Sequence, residues 1–192
     1  MKSAIKGIII ILFVIGLSPV LAFFNYDVLY FQPRVAEIES LISSATDEER
    51  NLTVTASKLL KIEFNDKYYA YSSKLITYKL NAVSQKHTHL YQQLTSMLWA
   101  HLIQLHLSTT DQKIIIAAYS PTGNNLVGFS ATAKARYDKD LTSLSPQETA
   151  TIVALTRAPG TYSASEERLN QRRDFLLNEL SNYYPGDLSL QK

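Results

Sequence analysis

The sequence predicts a mainly α-helical domain behind one N-terminal membrane helix, and three observations support this fold class. Residues 7–24 carry no charge and follow Lys2 and Lys6, and a run of roughly 17 to 25 apolar residues can span a bilayer as a helix. Apolar residues then recur at helical spacing in several stretches of the chain. Ser145-Pro146-Gln147-Glu148 is a helix-start signal, because Ser and Glu can form a capping box and Pro fits the first helical position.

The composition allows a membrane segment plus one compact domain with a sizeable core. The chain has 192 residues, of which 46% are hydrophobic and 19% are charged. A net charge of only +2 gives no electrostatic reason to expect a nucleic-acid partner. The absence of cysteine excludes a disulfide framework and a thiolate metal site.

The N-terminal segment has two interpretations. Val20-Leu21-Ala22 has the small-residue pattern that a signal peptidase accepts, which would make the segment a cleavable signal. Aromatic residues, which suit a membrane interface, continue past that point at Phe23, Phe24, Tyr26, Tyr30 and Phe31. We therefore favour an uncleaved anchor over residues 1–24. Both interpretations leave the basic end in the cytoplasm and export the domain, which predicts a single-pass protein of the inner (cytoplasmic) membrane with a periplasmic or extracytoplasmic domain.

The rest of the chain divides into a linker and one helical domain. Residues 25–54 are predicted to be a juxtamembrane linker with a short amphipathic helix over residues 33–44. The domain occupies residues 55–185. Its first long helical patterns cover residues 73–83 and 92–107, and a turn is predicted at residues 121–125.

The most strongly punctuated stretch runs from residue 128 to residue 177. A small-residue helix over residues 130–137 leads into a polar turn at residues 138–140. The helix that begins after Ser145 is predicted to stop at a turn formed by Ala158-Pro159-Gly160. Another helix follows from about Ser165.

The order of motifs in this stretch matches a known family. The matching residues are Gly128, Ala131, Ala133, Tyr137, Lys139, Leu141, Leu144, Glu148, Ala150, Ala154, Leu155, Ala158, Pro159, Tyr162, Ser163, Arg172, Arg173 and Leu177. This pattern resembles the peptidoglycan glycosyltransferase (transglycosylase) domain of class A penicillin-binding proteins and monofunctional transglycosylases. The resemblance covers roughly residues 55–180, in divergent and shortened form, and implies a single lysozyme-like α-helical domain.

The resemblance also implies a reaction, which is glycosyl transfer from a lipid-linked peptidoglycan precursor. A carboxylate would remove a proton from the acceptor sugar hydroxyl, which attacks the anomeric carbon and displaces a lipid pyrophosphate. The position of this base has two registers. Glu63 follows an apolar run and is the retained carboxylate, whereas the second register places Asn65 at the base and Ser72 at a family His. As a structural residue, Glu63 would be a solvated charge on a helix that packs through its apolar neighbours.

Residues 74–80 are similar to the family motif S-T-I-T-Q-Q-L and share its Ile, Thr and final Leu. The substrate-binding residues implied by the resemblance are Thr77, Lys79, Lys74 and Arg172. Two interpretations are open for Arg136, Lys139, Arg157, Arg172 and Arg173. They form a basic patch that faces a lipid pyrophosphate, or they are solvated charges that pair with acidic neighbours.

Several charged groups of the family are missing from this sequence. Ser96 stands at the second functional Glu, the Arg-Lys pair before it is absent, and Ser130 replaces a further Glu. In the family such groups bind the pyrophosphate and stabilise departing charge, an electrostatic role that Ser and Gln cannot supply. The segment between Glu63 and Lys74 is also much shorter than in family members.

The sequence contains no recognisable cofactor site. His87-Thr88-His89 would share a face only if the segment were a strand, and no carboxylate pattern accompanies it. If the protein is active, the resemblance implies that a divalent cation (Mg or Mn) assists by neutralising the departing pyrophosphate.

Two functions are consistent with these observations. The favoured one is a membrane-anchored pseudoenzyme that has lost most catalytic residues and acts as a binding or scaffold module. Its partners would be cell-wall synthesis proteins or the lipid-linked peptidoglycan precursor. The alternative is an active, divergent glycosyltransferase that polymerises lipid II with Glu63 as general base.

Overall fold

A computed structural model describes residues 16–82 and 88–185 and is mainly helical. Helix α1, residues 16–26, continues into a π-helical turn, Asp27–Phe31, and a 3-10 turn, Gln32–Arg34. The helices that follow are α2 (Val35–Ser44), α3 (Asp47–Arg50), α4 (Val54–Phe64), α5 (Tyr68–Lys79), α6 (His89–His106), α7 (Thr109–Tyr119), α8 (Phe129–Tyr137), α9 (Pro146–Arg157), α10 (Pro159–Ser163) and α11 (Glu166–Tyr183). A two-stranded antiparallel hairpin, β1 (Pro121–Gly123) and β2 (Leu126–Val127), separates α7 from α8.

The predicted anchor, residues 1–24, lies mostly outside the part of the chain that the structure describes. Within residues 16–82 and 88–185, no helix is both long and apolar enough to cross a membrane. The linker helix predicted over residues 33–44 is present as α2, which is preceded by the 3-10 turn.

The helix starts of the domain are set by side chains that cap backbone groups. The predicted capping box is confirmed: the Glu148 N–H donates to Ser145 Oγ at 3.2 Å, and the Ser145 N–H donates to Glu148 Oε2 at 2.8 Å. The same reciprocal arrangement starts α3 at Thr46 and α7 at Ser108. Each box satisfies N–H groups that a helix leaves without an internal partner.

The turn predicted at residues 121–125 is present as the loop of the hairpin, in which Asn124 and Asn125 have φ of 50° and 60°, the left-handed conformation of a two-residue loop. Two local predictions differ from the structure. The turn predicted after α9 is instead the start of α10, because Pro159 fits the first turn of a helix as well as it ends one. The helix predicted over residues 73–83 begins earlier, at Tyr68, and ends at Lys79.

Helix α9 lies at the centre of the domain. All eight residues from Thr149 to Thr156 are buried, so this helix is covered on every side and its apolar surface is not confined to one stripe. It packs against α4 and α11, which also contact each other. A second group of helices forms where α5 packs against α6 and α7. The hydroxyl of Tyr71 joins the two groups by donating to the Thr156 carbonyl at 3.0 Å.

Helix α3 binds the start of α8 and the segment that follows α8 through two carboxylates. The Ser130 N–H donates to Glu49 Oε1 at 3.1 Å, and the Leu141 N–H donates to Glu48 Oε2 at 3.1 Å. Gly128 precedes α8 with a φ of +89°, and a Cβ at this position would lie 2.8 Å from the Ala118 carbonyl oxygen. Only glycine adopts this conformation readily and permits such a close approach.

We therefore expect Gly128→Ala to lower the free energy of unfolding by about 2 kcal/mol, because the alanine is strained and displaces its neighbours. The measurement is urea unfolding of the full-length protein in detergent, followed by the fluorescence of Trp99, the single tryptophan. Gly160→Ala is the matched control, because Gly160 is helical with no atom within 4 Å of an added Cβ. An equal loss of stability in both variants would contradict this account.

Candidate functional site

Glu63 lies near the C-terminal end of α4, on the face that packs into the domain. It shares a stripe with Ala56, Leu59 and Leu60, which are all buried, since residues three, four and seven apart lie on one side of a helix. Its side chain is fully buried, with 0% of its surface exposed. The interpretation of Glu63 as a solvated charge is therefore wrong, and the spacing of its apolar neighbours is the sequence signal that places it inward.

Arg172 of α11 binds the buried carboxylate. Its Nε donates to Glu63 Oε2 at 3.1 Å and its Nη2 donates to the same oxygen at 2.7 Å. Arg157, at the end of α9, places Nη1 3.7 Å from Glu63 Oε1, which is an ionic contact without a hydrogen bond. Oε1 is buried and has no hydrogen-bond partner among the described residues. The carboxylate thus links the three helices α4, α9 and α11.

Burial raises the pKa of Glu63 above its ordinary value of 4.5, and the hydrogen bond and charge of Arg172, followed by the charge of Arg157, offset part of this increase. The sign of the effect on stability follows from proton linkage. A carboxyl group whose pKa is higher in the folded chain than in the unfolded chain stabilises the fold less as the pH rises from the unfolded pKa through the folded pKa. The two arginine partners act in the opposite direction to burial, because their positive charges lower the free-energy cost of ionising Glu63 in the core.

The remaining predicted substrate-binding residues lie on α5, which packs mainly against α6 and α7 and not around Glu63. Thr77 is buried and its Oγ1 donates to the Ser73 carbonyl at 2.7 Å, one turn earlier in the same helix. Lys79 Nζ lies 4.9 Å from the centre of the Tyr119 ring, a cation–π contact. Lys74 is exposed. Of the predicted site residues, the structure joins Glu63 and Arg172 by direct contact.

Asn65, the base position in the second register, caps the C-terminus of α4 in the left-handed conformation, with a φ of 48°. Its amide has no ionisable group, so it cannot act as a general base. It borders a surface cleft of about 630 Å³ between the ends of α4 and α11. The cleft is lined by Lys61, Ile62, Asn65, Asp66, Phe175, Glu179, Tyr183 and Tyr184.

The predicted basic patch consists of paired charges. Arg136 contacts Glu166 at 2.5 Å, and Lys139 contacts Glu148 at 2.6 Å. Arg173 contacts Asp174 at 2.8 Å, while Arg157 and Arg172 both face Glu63. Each of the five cations therefore has a carboxylate neighbour, which agrees with the interpretation of these residues as ion pairs.

The carboxylates of Glu48 and Glu49, which the sequence motifs do not identify, lie beside Ser130. The resemblance implies a Glu at the position of Ser130. Ser130 Oγ donates to Glu48 Oε2 at 3.4 Å, and the Ser130 N–H donates to Glu49 Oε1. Both glutamates come from α3, about eighty residues earlier in the chain. The local signal for them was the Thr46–Glu49 capping pattern, which predicts a helix start but gives no tertiary partner.

The candidate site does not fit a divalent cation. Mg²⁺ takes oxygen ligands, and it binds through carboxylates together with substrate phosphates. The Glu63 carboxylate instead faces two guanidinium groups, which supply the positive charge that a metal ion would. Among residues 16–82 and 88–185, no cluster of three or more His, Asp or Glu side chains is arranged to hold a metal ion.

Comparison with known families places the chain in one of them. The profile of the family described as Transglycosylase matches residues 75–181, which is more than half of the 192-residue chain. The protein belongs to the transglycosylase family, and its domain is of the peptidoglycan transglycosylase type. No curated protein matches the sequence. The matched range includes Thr77, Lys79 and Arg172 but begins after Glu63 and Lys74.

We expect Arg172→Ala to lower the free energy of unfolding by about 3 kcal/mol, because it leaves the carboxylate of Glu63 buried without a hydrogen bond. Urea unfolding monitored by Trp99 fluorescence measures this change. Arg173→Ala is the control, because the adjacent Arg173 pairs with the exposed Asp174 and such a surface pair contributes at most about 1 kcal/mol. Equal effects of the two substitutions would show that Arg172 does not support the core through Glu63.

The destabilisation caused by Arg172→Ala should also increase as the pH rises from the pKa of Glu63 in the unfolded chain through its raised pKa in the folded chain. Without Arg172, the pKa of Glu63 in the folded chain rises further above its pKa in the unfolded chain. The carboxyl group then ionises at a lower pH in the unfolded chain than in the folded chain, so the free energy of unfolding falls as the pH increases. Unfolding midpoints of wild type and variant at several pH values provide the measurement. The double variant Glu63→Gln/Arg172→Ala should lose this additional pH dependence, and its persistence would assign the effect to another group.

Proposed function

We propose that this transglycosylase-family protein is a membrane-anchored binding or scaffold module of cell-wall synthesis that does not polymerise glycan. The observation that carries the proposal is the complete burial of Glu63, with Oε2 occupied by two hydrogen bonds from Arg172. A general base has to lie within hydrogen-bond reach of the proton that it removes. A sugar hydroxyl has no access to a carboxylate that α9 and α11 cover.

The charged groups that would stabilise a departing pyrophosphate are also missing where the resemblance expects them. That position is on α6, and none of its 18 residues is Asp, Glu, Lys or Arg. Ser96, at the position of the second glutamate, is half-buried and carries no charge. Catalysis of this kind depends on preorganised charges and dipoles around the developing negative charge, which α6 does not provide.

The packing positions of the family are retained while its polar chemistry is reduced, and this combination favours a role in binding. The buried residues of α9 and the apolar positions of α11 keep the fold in place. Function is carried by sites on a fold and not by the fold itself. We infer that the retained surface binds the lipid-linked peptidoglycan precursor or a protein of cell-wall synthesis, with residues 1–24 in the inner membrane and the domain on its extracytoplasmic side.

One observation favours the alternative, an active glycosyltransferase. The pKa of Glu63 is raised by burial, and a raised carboxyl pKa is a property of many catalytic bases. This function would require α11 to move so that Arg172 releases Glu63 and the carboxylate becomes accessible. The same rearrangement would have to bring the α5 residues Thr77, Lys79 and Lys74 toward it.

The test is polymerisation of lipid II by the purified full-length protein in detergent with Mg²⁺, beside the Glu63→Gln variant and an active monofunctional transglycosylase. We expect glycan chains from the positive control and none from either form of this protein. We also expect both forms to bind lipid II with equal affinity, because Glu63 is inaccessible to the ligand. Glycan chains from wild type but not from Glu63→Gln, with both proteins folded, would establish the alternative.

A further inference from the structure

A small polar pocket of about 150 Å³ lies between α3, α4 and α7. Arg50, Ser57, Thr110 and Lys113 line it and carry hydrogen-bond donors. Pockets that enclose a small organic ligand usually measure about 300–1,000 Å³, so this one has room for a single compact group. Its lining comes from other elements than α5, α6 and α11, on which the resemblance places the groups that bind substrate and pyrophosphate.

Lys113 brings a poorly compensated positive charge to this pocket. Its side chain is half-buried, and it forms no ion pair with any carboxylate of residues 16–82 and 88–185. Its Nζ lies 5.1 Å from the centre of the Tyr68 ring. Burial lowers the pKa of Lys113 below its ordinary value, the charge of Asp66 opposes this change, and the charge of Lys61 adds to it. A bound anion would reduce the free-energy cost of keeping such an ammonium group charged.

Two hydroxyl groups in the same pocket are not used by the fold. Within the described chain, Ser57 Oγ of α4 and Thr110 Oγ1 of α7 have no hydrogen-bond partner. The hydroxyls that start these two helices differ, because Thr53 accepts from the Ala56 N–H and Ser108 accepts from the Asp111 N–H. Since each free hydroxyl can donate one hydrogen bond, the pocket offers donors to a ligand.

Arg50 adds a second cation at the end of α3. Its Nη1 donates to the Ser43 carbonyl at 2.5 Å and its Nη2 donates to Asp47, which leaves three of the five guanidinium N–H groups. The Asp47 side chain is 88% exposed, so this ion pair lies at the surface and contributes little to stability. Among the described residues that line the pocket, two are cations and none is a carboxylate.

We propose that this pocket binds a phosphate group, as inorganic phosphate or as a phosphate monoester, with Lys113 as its main ligand. Lys113 and Arg50 donate charge-assisted hydrogen bonds to the phosphate oxygens, and Ser57 and Thr110 donate from their hydroxyl groups. A phosphate group presents at least three acceptor oxygens in different directions. It therefore matches donors from three helices better than a planar carboxylate does. The site is independent of the proposed binding function.

Chemical labelling of the wild-type, full-length protein in detergent tests the site at the level of single lysines. Acetic anhydride acetylates unprotonated amines, and mass spectrometry of peptides measures the acetylated fraction at each position. At about ten times its Kd, a ligand leaves roughly one site in eleven free. We therefore expect phosphate or glycerol phosphate to slow the acetylation of Lys113 roughly tenfold and to leave the exposed Lys74 unchanged.

Two salts provide the controls for this labelling, and the two phosphate samples identify the source of the ligand. A larger effect of glycerol phosphate supports a monoester ligand, and a larger effect of inorganic phosphate supports the free ion. Equal protection by sodium acetate would overturn the assignment to phosphate. Equal protection by sodium chloride at the same ionic strength would assign the effect to screening and overturn the site, as would unchanged labelling of Lys113 in every sample.

A pair of variants tests the role of Lys113 as a ligand. We expect Lys113→Gln to weaken phosphate binding, measured by titration calorimetry, roughly tenfold or more, because charged hydrogen bonds are lost. Lys61→Gln is the matched control, because Lys61 pairs with Asp66 at 3.6 Å and lies outside the lining of this pocket. Trp99 fluorescence verifies that both variants are folded. Equal losses of affinity in the two variants would overturn the assignment. Neither experiment uses lipid II, so failure here leaves the proposed function in place.

Discussion

The buried ion pair between Glu63 and Arg172 is the interaction on which the arrangement of the domain depends. It joins α4 to α11, and both helices lie against α9, the most completely buried helix of the described chain. A carboxylate in such a place is costly unless charged hydrogen bonds replace its water. Arg172 supplies two such bonds and Arg157 adds a nearby charge, so the position of α11 is constrained by electrostatics as well as by packing.

This constraint separates the family's fold from the family's chemistry. The apolar positions of α9 and α11 pack as the transglycosylase resemblance implies, and the family profile covers both helices. The carboxylate nearest to the expected base, however, is used to hold helices together. Helix α6, on which the resemblance implies pyrophosphate-binding charges, contains no Asp, Glu, Lys or Arg.

Local structure was predicted well where a short stretch of sequence determines it. The Ser145–Glu148 capping box, the helix that ends at Tyr137 and the helix after Ser165 are all present, because caps and helical periodicity act within a few residues. Predictions failed where one residue type serves two purposes, as at Pro159, which begins α10 after ending the predicted helix. Glu63 was assigned to the correct helix, but its partners are 94 and 109 positions away in the sequence and no local pattern identifies them.

The amino-acid sequence alone established that the domain is helical, where several of its helices start, including α8, α9 and α11, and which family it resembles. These properties follow from side chains that act on their own backbone and from apolar spacing along one chain. Only the tertiary packing determines that Glu63 is enclosed, that Glu48 and Glu49 both bind Ser130 at the start of α8, and that Leu90, Leu94 and Met97 of α6 are exposed. The physical reason is that burial and ion pairing depend on which distant helices meet, and that choice is made by packing over the whole domain.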